Sequence, residues 1–247
     1  MGKLADLIQR ATRPAIAPLG FGTARSKPSP TMIIVGVIDA KWKDVVRDAT
    51  SSGAAAVLLT GGPNENEMKA AAEAAGDSAC GVVANGTTGL EEAGVDFVVL
   101  GSDAPASALQ DEDMTFLLQV DEELSDIQLR TIEPLPVEAL YLDGPGAALT
   151  IGRQMELQRI TGLARTPMLT APVSNVSRDD LLSLRDSGVL LLAVDMSASD
   201  ATKTLAHLQE LVGGLPPRRT RRRGEKAEVA LPTPSRGHEE HDEEDDD

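Results

Sequence analysis

Four short apolar segments of the chain end in the same way, with an aspartate directly after the last apolar residue. The four aspartates are Asp39, Asp121, Asp143 and Asp195. Carboxylate oxygens are preferred ligands of hard divalent cations, and two neighbouring carboxylates repel each other so that one acts as an acid and the other as a base. The pattern therefore predicts a Mg²⁺ or Mn²⁺ site at these four residues, or a carboxylate pair that moves protons.

The same aspartates also have a structural interpretation. Aspartate is a favoured helix N-cap, and each carboxylate could accept a backbone N–H two or three residues further along the chain. Both interpretations stay open on the sequence. Polar residues after other apolar segments complete the candidate ligand-binding groups, which comprise Thr60, Asn85, Asp143 and Ser174.

The residues that other catalytic mechanisms need, a histidine base, a Schiff-base lysine or a nucleophilic cysteine, are not found at the ends of these apolar segments. His207 falls in the last predicted helix, and His238 and His241 lie in an acidic tail, so no histidine base follows an apolar segment. No lysine follows the second to eighth segments, which removes the usual Schiff-base position. The one cysteine, Cys80, begins a segment and is typical of a small core residue. Nothing in the sequence signals NAD, flavin or haem.

The elements that must position the aspartates are eight apolar segments rich in Val, Leu and Ile. They cover residues 32–38, 55–59, 80–84, 96–100, 115–120, 137–142, 167–171 and 189–194. From Ile33 to Val189 they recur about every 22 residues, the length of one strand plus one helix. Near-continuous apolar strands are buried on both faces, as in parallel sheets. The repetition predicts an α/β fold, a closed (βα)8 TIM barrel over residues 31–213, with an open doubly wound sheet as the alternative.

The connections between the strands are predicted to be helices with a common ending. Gly53, Gly94 and Gly188 each stand where a helix would end in the left-handed conformation, directly before a strand. Further helices are predicted at residues 66–75, 146–163, 178–187 and 199–212. The connections around residues 87–93, 104–112 and 122–131 are predicted to be short or irregular.

Two extensions flank the predicted barrel. Residues 1–30 hold a short amphipathic helix and a Pro-rich linker, and the helix is either a lid under the barrel floor or an apolar anchor for a membrane or partner. Residues 214–247 form an Arg-rich and then acidic tail, a composition typical of disordered segments.

Composition restricts the partners of this 247-residue chain. The predicted barrel carries eleven basic and twenty-eight acidic side chains, a formal charge of −17, and the whole chain has only five aromatic residues. Such a body repels phosphate backbones and offers few stacking surfaces, so we expect no nucleic-acid binding by the barrel. No segment has the roughly 20 apolar residues of a membrane span, and the N-terminus lacks a secretory pattern, which predicts a cytoplasmic protein.

Residues 31–212 resemble the (βα)8 superfamily of ribulose-phosphate-binding barrels and their flavin-binding relatives. The resemblance lies in the phrases Leu90-Glu-Glu-Ala-Gly-Val-Asp-Phe-Val-Val-Leu100 and Asp179-Asp-Leu-Leu-Ser-Leu-Arg-Asp-Ser-Gly-Val189. It implies a phosphate site at glycines after the seventh and eighth strands. Here those ends read Thr170-Ala-Pro-Val-Ser-Asn175 and Ala193-Val-Asp-Met-Ser197. They contain no glycine, Pro172 has no N–H to donate, and Asp195 would repel an anion.

Two functions follow as hypotheses. The first is a barrel that binds a small molecule or divalent cation at its acidic mouth and acts, at most, as a lyase or isomerase. The second is a non-catalytic barrel that serves as a scaffold through its termini, with a protein partner for the charged tail.

Overall fold

The computed structural model describes residues 2–12, 31–39, 41–144, 146–172 and 175–216. Within these ranges it contains eight parallel strands: β1 (Ile33–Ile38), β2 (Ala56–Leu59), β3 (Ala79–Val83), β4 (Phe97–Leu100), β5 (Thr115–Val120), β6 (Ala139–Leu142), β7 (Met168–Thr170) and β8 (Val189–Asp195). Each strand pairs with the next, and β8 pairs with β1 to close the sheet. The predicted (βα)8 barrel is therefore confirmed, and the open sheet is excluded.

Seven α-helices accompany the strands in the described part of the chain: α1 (Lys3–Thr12), α2 (Trp42–Ser51), α3 (Glu65–Ala75), α4 (Asp126–Ile132), α5 (Ile151–Ala164), α6 (Arg178–Asp186) and α7 (Ala201–Gly213). The connection from β3 to β4 contains turns in place of a helix, and the one from β4 to β5 contains only the short 3₁₀ helix Ala106–Gln110. These connections and the seven-residue α4 match the three predicted as short or irregular.

Local sequence signals set the helix boundaries. Asn64, Ser125 and Ser177 each form a capping box with the residue three positions on, which begins α3, α4 and α6. The prediction of a helix from residue 146 is wrong at its start. Thr150 is the N-cap of α5, and its Oγ1 accepts the Arg153 N–H at 3.1 Å, so the helix begins at Ile151.

The glycines predicted at the helix-to-strand junctions have the positive φ that such junctions need. Gly53, Gly94 and Gly188 have φ values of +104°, +77° and +91°. At Gly188 a Cβ would also come within 3 Å of the Thr161 side chain on α5. The junction before β8 therefore has room only for glycine.

The core has two layers. Alternate residues of the strands, such as Val35, Leu58, Phe97 and Leu169, fill the barrel interior, and the others pack between the barrel and its helices. The inner layer also contains Leu4, Ile8 and Ala11 of α1. The helix thus closes one end of the barrel with its apolar face, as the lid hypothesis predicts. No described helix is long and apolar enough to cross a membrane.

The packing of α1 predicts that its buried leucine contributes strongly to stability. Leu4 is fully buried, so Leu4→Ala removes packed apolar surface and leaves a cavity. We expect the free energy of unfolding, measured by urea denaturation of the full chain, to fall by about 2 to 5 kcal/mol. Arg10→Ala, at an exposed position of the same helix, serves as the control and should change it by under about 0.5 kcal/mol. Equal effects of the two substitutions would contradict the lid.

Candidate functional site

The candidate residues follow the carboxyl ends of the strands, which together form the mouth of the barrel. Because side chains alternate along a strand, positions two apart lie on the same face. Leu117, Ala139 and Ala193 belong to the inner layer, and the same alternation reaches the aspartates at the ends of β5, β6 and β8. The inward-phase positions of the mouth are Asp39, Thr60, Asn85, Asp121, Asp143 and Asp195.

Strand register determines which aspartates lie at the same level. On β5 and β6 the pair Val120 and Leu142 is followed directly by Asp121 and Asp143, so these two lie level. On β1 and β8 the partner of Asp195 is Val37, and Asp39 lies two residues further out. Among the described residues, no three His, Cys, Asp or Glu side chains form a group that could hold a metal ion. The Mg²⁺ or Mn²⁺ site thus stays a prediction.

Two of the aspartates stabilise local turns. The Asp121 Oδ1 accepts the Glu123 N–H at 3.0 Å, and the Asp195 Oδ1 accepts the Ser197 N–H at 2.8 Å. The acceptors lie two residues before the donors, but these turns precede the helices. The prediction that the four aspartates are helix N-caps is wrong, because the N-caps of α2, α4, α5 and α7 are Lys41, Ser125, Thr150 and Asp200. Such turns hold the loops at the mouth in place.

Asp143 has a different environment because its carboxylate accepts a hydrogen bond from the side chain of a residue in its own strand. The Tyr141 hydroxyl donates to the Asp143 Oδ1 at 2.9 Å, and the Gly144 N–H donates to the same oxygen at 2.8 Å. The carboxyl group is exposed, and its Oδ2 has no hydrogen-bond partner within the described ranges. The arrangement fixes one oxygen and leaves the other directed to a ligand or to water.

Tyr141 is the residue of this site that the sequence interpretation missed. Its side chain is buried, and burial followed by the hydrogen bond to Asp143 raises the pKa of the phenol above its ordinary value of 10.0. The phenol is therefore neutral at physiological pH and acts as a hydrogen-bond donor. The strand period of two places Tyr141 and Asp143 on one face of β6, so the sequence did contain the signal.

The other predicted ligand-binding residues differ in their availability. Thr60 donates its backbone N–H and its hydroxyl to the Ile38 carbonyl oxygen, at 2.8 and 3.3 Å, which joins the ends of β1 and β2. Its hydroxyl oxygen can still accept a hydrogen bond. Asn85 is exposed after β3. Ser174 lies outside the described residues.

Comparisons with known proteins extend the description of the barrel. The sequence matches no protein-family model, and no curated protein is similar to it. The structure is similar to a mutant tryptophan synthase α-subunit from Pyrococcus furiosus, at 14% identity and a TM-score of 0.56, covering 74% of this chain and 98% of that one. It is also similar to a chain of the tryptophan synthase a2b2 complex from the same organism, at 14% identity, a TM-score of 0.53, and coverage of 73% and 96%.

These neighbours share the fold of this chain. Their similarity extends over almost their whole length, which supports the (βα)8 barrel predicted from the sequence. At identities of 14 to 15%, the activity of those proteins does not transfer with the fold.

Cys80 is outside the mouth, and its chemistry is suppressed. The residue is buried between the barrel and its helices, and burial, followed by the nearby Asp96 carboxylate, raises the pKa of the thiol from 9.0 to about 12. The thiolate is the reactive form, so a thiol with this pKa does not act as a nucleophile near neutral pH.

This environment predicts both the reactivity and the pH dependence of the thiol. An aromatic disulfide reagent at about pH 8 should label Cys80 only after the chain is unfolded in urea.

The pH dependence of stability is a second consequence of the raised thiol pKa. Above pH 9 the unfolded chain ionises its thiol, while the folded chain keeps the proton up to about pH 12. The free energy of unfolding therefore falls as pH rises through that window. Between about pH 9 and 11 the wild type should lose more stability than Cys80→Ala. Rapid labelling of the folded chain would contradict this environment.

Proposed function

We propose that the barrel binds a small, polar, uncharged or cationic molecule at its mouth and transfers a proton on it, as a lyase or an isomerase does, with Asp143 as the base. The observation that carries the proposal is the carboxylate of Asp143, whose Oδ1 accepts two hydrogen bonds while Oδ2 is left for substrate. A base must be held in a fixed orientation to act, and these bonds supply that orientation.

The charge of the mouth supports the proposed substrate class. Four aspartates surround the opening, and the described strand ends β7 and β8 lack the phosphate-binding glycines. A phosphorylated substrate would be repelled by these carboxylates, whereas a neutral or cationic one would not. The Mg²⁺ or Mn²⁺ hypothesis is the alternative use of the same mouth, because a cation bound by Asp121 and Asp143, which lie level, would occupy the carboxylate that otherwise acts as the base.

The proposed proton transfer uses both Asp143 and Tyr141. Asp143 Oδ2 takes a proton from a C–H or O–H group of the substrate, and the electron pair left behind forms a new double bond or releases a leaving group. The proton then returns from Oδ2 to another atom of the substrate or to the leaving group. Tyr141, as a neutral donor, stabilises the carboxylate and holds it in place.

Proton transfer can be tested before the substrate is identified. A base that removes a C–H proton in D₂O exchanges it for deuterium, so we expect the full chain to reduce specific ¹H signals of a mixture of neutral and cationic metabolites. Asp143→Asn removes the base and should lower the exchange rate by about 10² to 10⁴-fold. Tyr141→Phe should lower it by roughly tenfold, because one hydrogen bond to a charged group is lost.

Asp77→Asn is the control. This exposed aspartate precedes β3, at the end of the barrel opposite the mouth, so exchange should stay near the wild-type rate. Exchange that is equal in Asp143→Asn and the wild type would exclude Asp143 as the base.

A second candidate function is a complex with a protein partner, supported by exposed apolar side chains next to the mouth. Ile127 lies on α4, and Ile151 and Met155 lie one turn apart on α5, which packs against α4. Ile151 is 80% exposed. Apolar groups grouped at a surface are typical of interaction sites. The apolar face of α1 packs against the barrel floor and is not exposed to a partner. We therefore assign the partner contact to the exposed apolar side chains of α4 and α5.

Sedimentation of the full chain in an extract of its own cells tests this second candidate. The wild type should sediment faster than its mass of 25.9 kDa allows, and the double substitution Ile151→Glu and Met155→Glu should return it to that mass. Thr202→Glu with Ala206→Glu adds the same two charges, one turn apart, to the exposed face of α7 and should behave as the wild type. Sedimentation of the wild type at 25.9 kDa would contradict a stable partner.

A further inference from the structure

A groove of about 370 Å³ lies at the end of the barrel opposite the mouth. Its walls come from the last turns of α5 and α6 and from the chain entering β7 and β8, including Gly162, Arg165, Pro167, Arg185 and Gly188. A groove of this volume is within the range of small-molecule sites. It is separate from the strand ends at which the candidate base lies.

Arg185 is the most unusual side chain of the groove because it is charged and nearly fully buried. Its side chain is 6% exposed. The Nη1 donates to the Pro216 carbonyl oxygen at 2.6 Å, and the contact of Nη2 with the Asp186 carboxylate is long, at 3.4 Å. The Nε is shielded from solvent and has no hydrogen-bond partner among the described residues. A buried guanidinium with an unused N–H is unfavourable unless an anion completes its contacts.

Gly162 is a second unfavourable feature on the same groove. It lies inside α5, where glycine is the least stabilising residue after proline. Apart from its chain neighbours and the backbone of its own helix, a Cβ at this position would have no atom of the described chain within 4 Å, so neither packing nor backbone conformation requires a glycine here. Its effect is to leave the groove open.

Arg165 is the third unfavourable feature and lies at the end of α5. It has a left-handed backbone with φ of 52°, which residues with a Cβ adopt at a cost. Its exposed side chain pairs with the exposed Glu133 carboxylate at 2.9 Å, a type of ion pair that contributes little. Within the described ranges the other N–H groups of Arg165 have no hydrogen-bond partner, so they can bind a ligand at the rim.

The helix dipoles explain only part of this arrangement. Cations are favoured at helix C-termini, where α5 and α6 both end, so arginines are expected there. The dipoles do not explain why Arg185 is buried with an unused N–H, or why a glycine keeps the space beside it open. An occupied groove accounts for both.

We propose that this groove is a binding site for a small molecule carrying a carboxylate, which Arg185 binds from inside the groove and Arg165 from its rim. The Nε and Nη2 of a guanidinium form a planar fork that matches the two oxygens of a carboxylate. The ligand carboxylate replaces the long contact of Asp186, and the guanidinium turns toward the groove to present its Nε, which is otherwise shielded from solvent. Because the C-terminal ends of two helices face the groove, a singly charged carboxylate binds better than a doubly charged phosphate.

Calorimetric titration of the full chain with acetate, succinate, benzoate and inorganic phosphate tests the site. We expect saturable binding of at least one carboxylate, tighter than that of phosphate. Gly162→Phe fills the groove without altering either arginine and should weaken binding by at least about tenfold. Gly152→Phe places the same side chain at the exposed first turn of α5 and should bind as the wild type.

Arg185→Lys keeps the charge but removes the planar fork, and it should also weaken carboxylate binding by about tenfold. Thermal melting of each variant separates loss of the site from loss of the fold, and Gly162→Phe keeps the test decisive if the buried Arg185 does not tolerate substitution. Three results would overturn the proposal: no saturable binding of any carboxylate, equal affinities of Gly162→Phe and the wild type, or tighter binding of phosphate than of every carboxylate.

Discussion

The pairing of β1 with β8 is the interaction on which the rest of the structure depends. The two strands are the first and the last of the sheet, and five residues of β1, Ile33 to Val37, pair in register with Leu191 to Asp195 of β8. Without this pairing both strands would be exposed edges with unpaired backbone groups. Closure also turns a row of strand ends into a ring, so that Asp39 and Asp195, far apart in sequence, surround one opening with Asp121 and Asp143.

A closed barrel needs an interior that is filled, and this chain fills it with a mixture of small and large side chains. Ala56, Ala79 and Ala139 belong to the inner layer together with the large rings of Phe97 and Tyr141. A Cβ on Gly81 would overlap the Phe97 ring, so this position on the neighbouring strand has to be glycine. The interior thus accommodates a large ring on one strand because the strand beside it carries no side chain at that level.

The sequence predicted the strands well because each is a near-continuous apolar run, buried on both faces. The junction glycines and the three irregular connections were also correct, since both depend on local chemistry. The start of α5 was misplaced because the residues before Thr150 are compatible with a helix, and only the cap at Thr150 determines where it begins.

The candidate site was predictable in position but not in bonding. Asp143 was placed at the mouth by its strand, and its partner Tyr141 follows from the same period of two. The register that separates Asp39 from Asp195 depends on how the barrel closes, which the apolar pattern does not encode. Arg185 could not have been found from the sequence, since an arginine near a helix end is typical of an exposed surface. It is buried because the chain after α7 returns to place the Pro216 carbonyl against it.

The packing of the lid helix has a consequence for the order in which parts of the protein can fold. Residues of α1 leave the ribosome before those of β8, but the layer into which Leu4 and Ile8 pack includes Leu191 and Ala193 of that strand. At synthesis rates of about 5 to 20 residues per second, roughly 10 to 40 s separate the appearance of these two parts. The helix therefore reaches its binding place only after β8 has been made, and during that interval its apolar face has to be kept from other nascent chains.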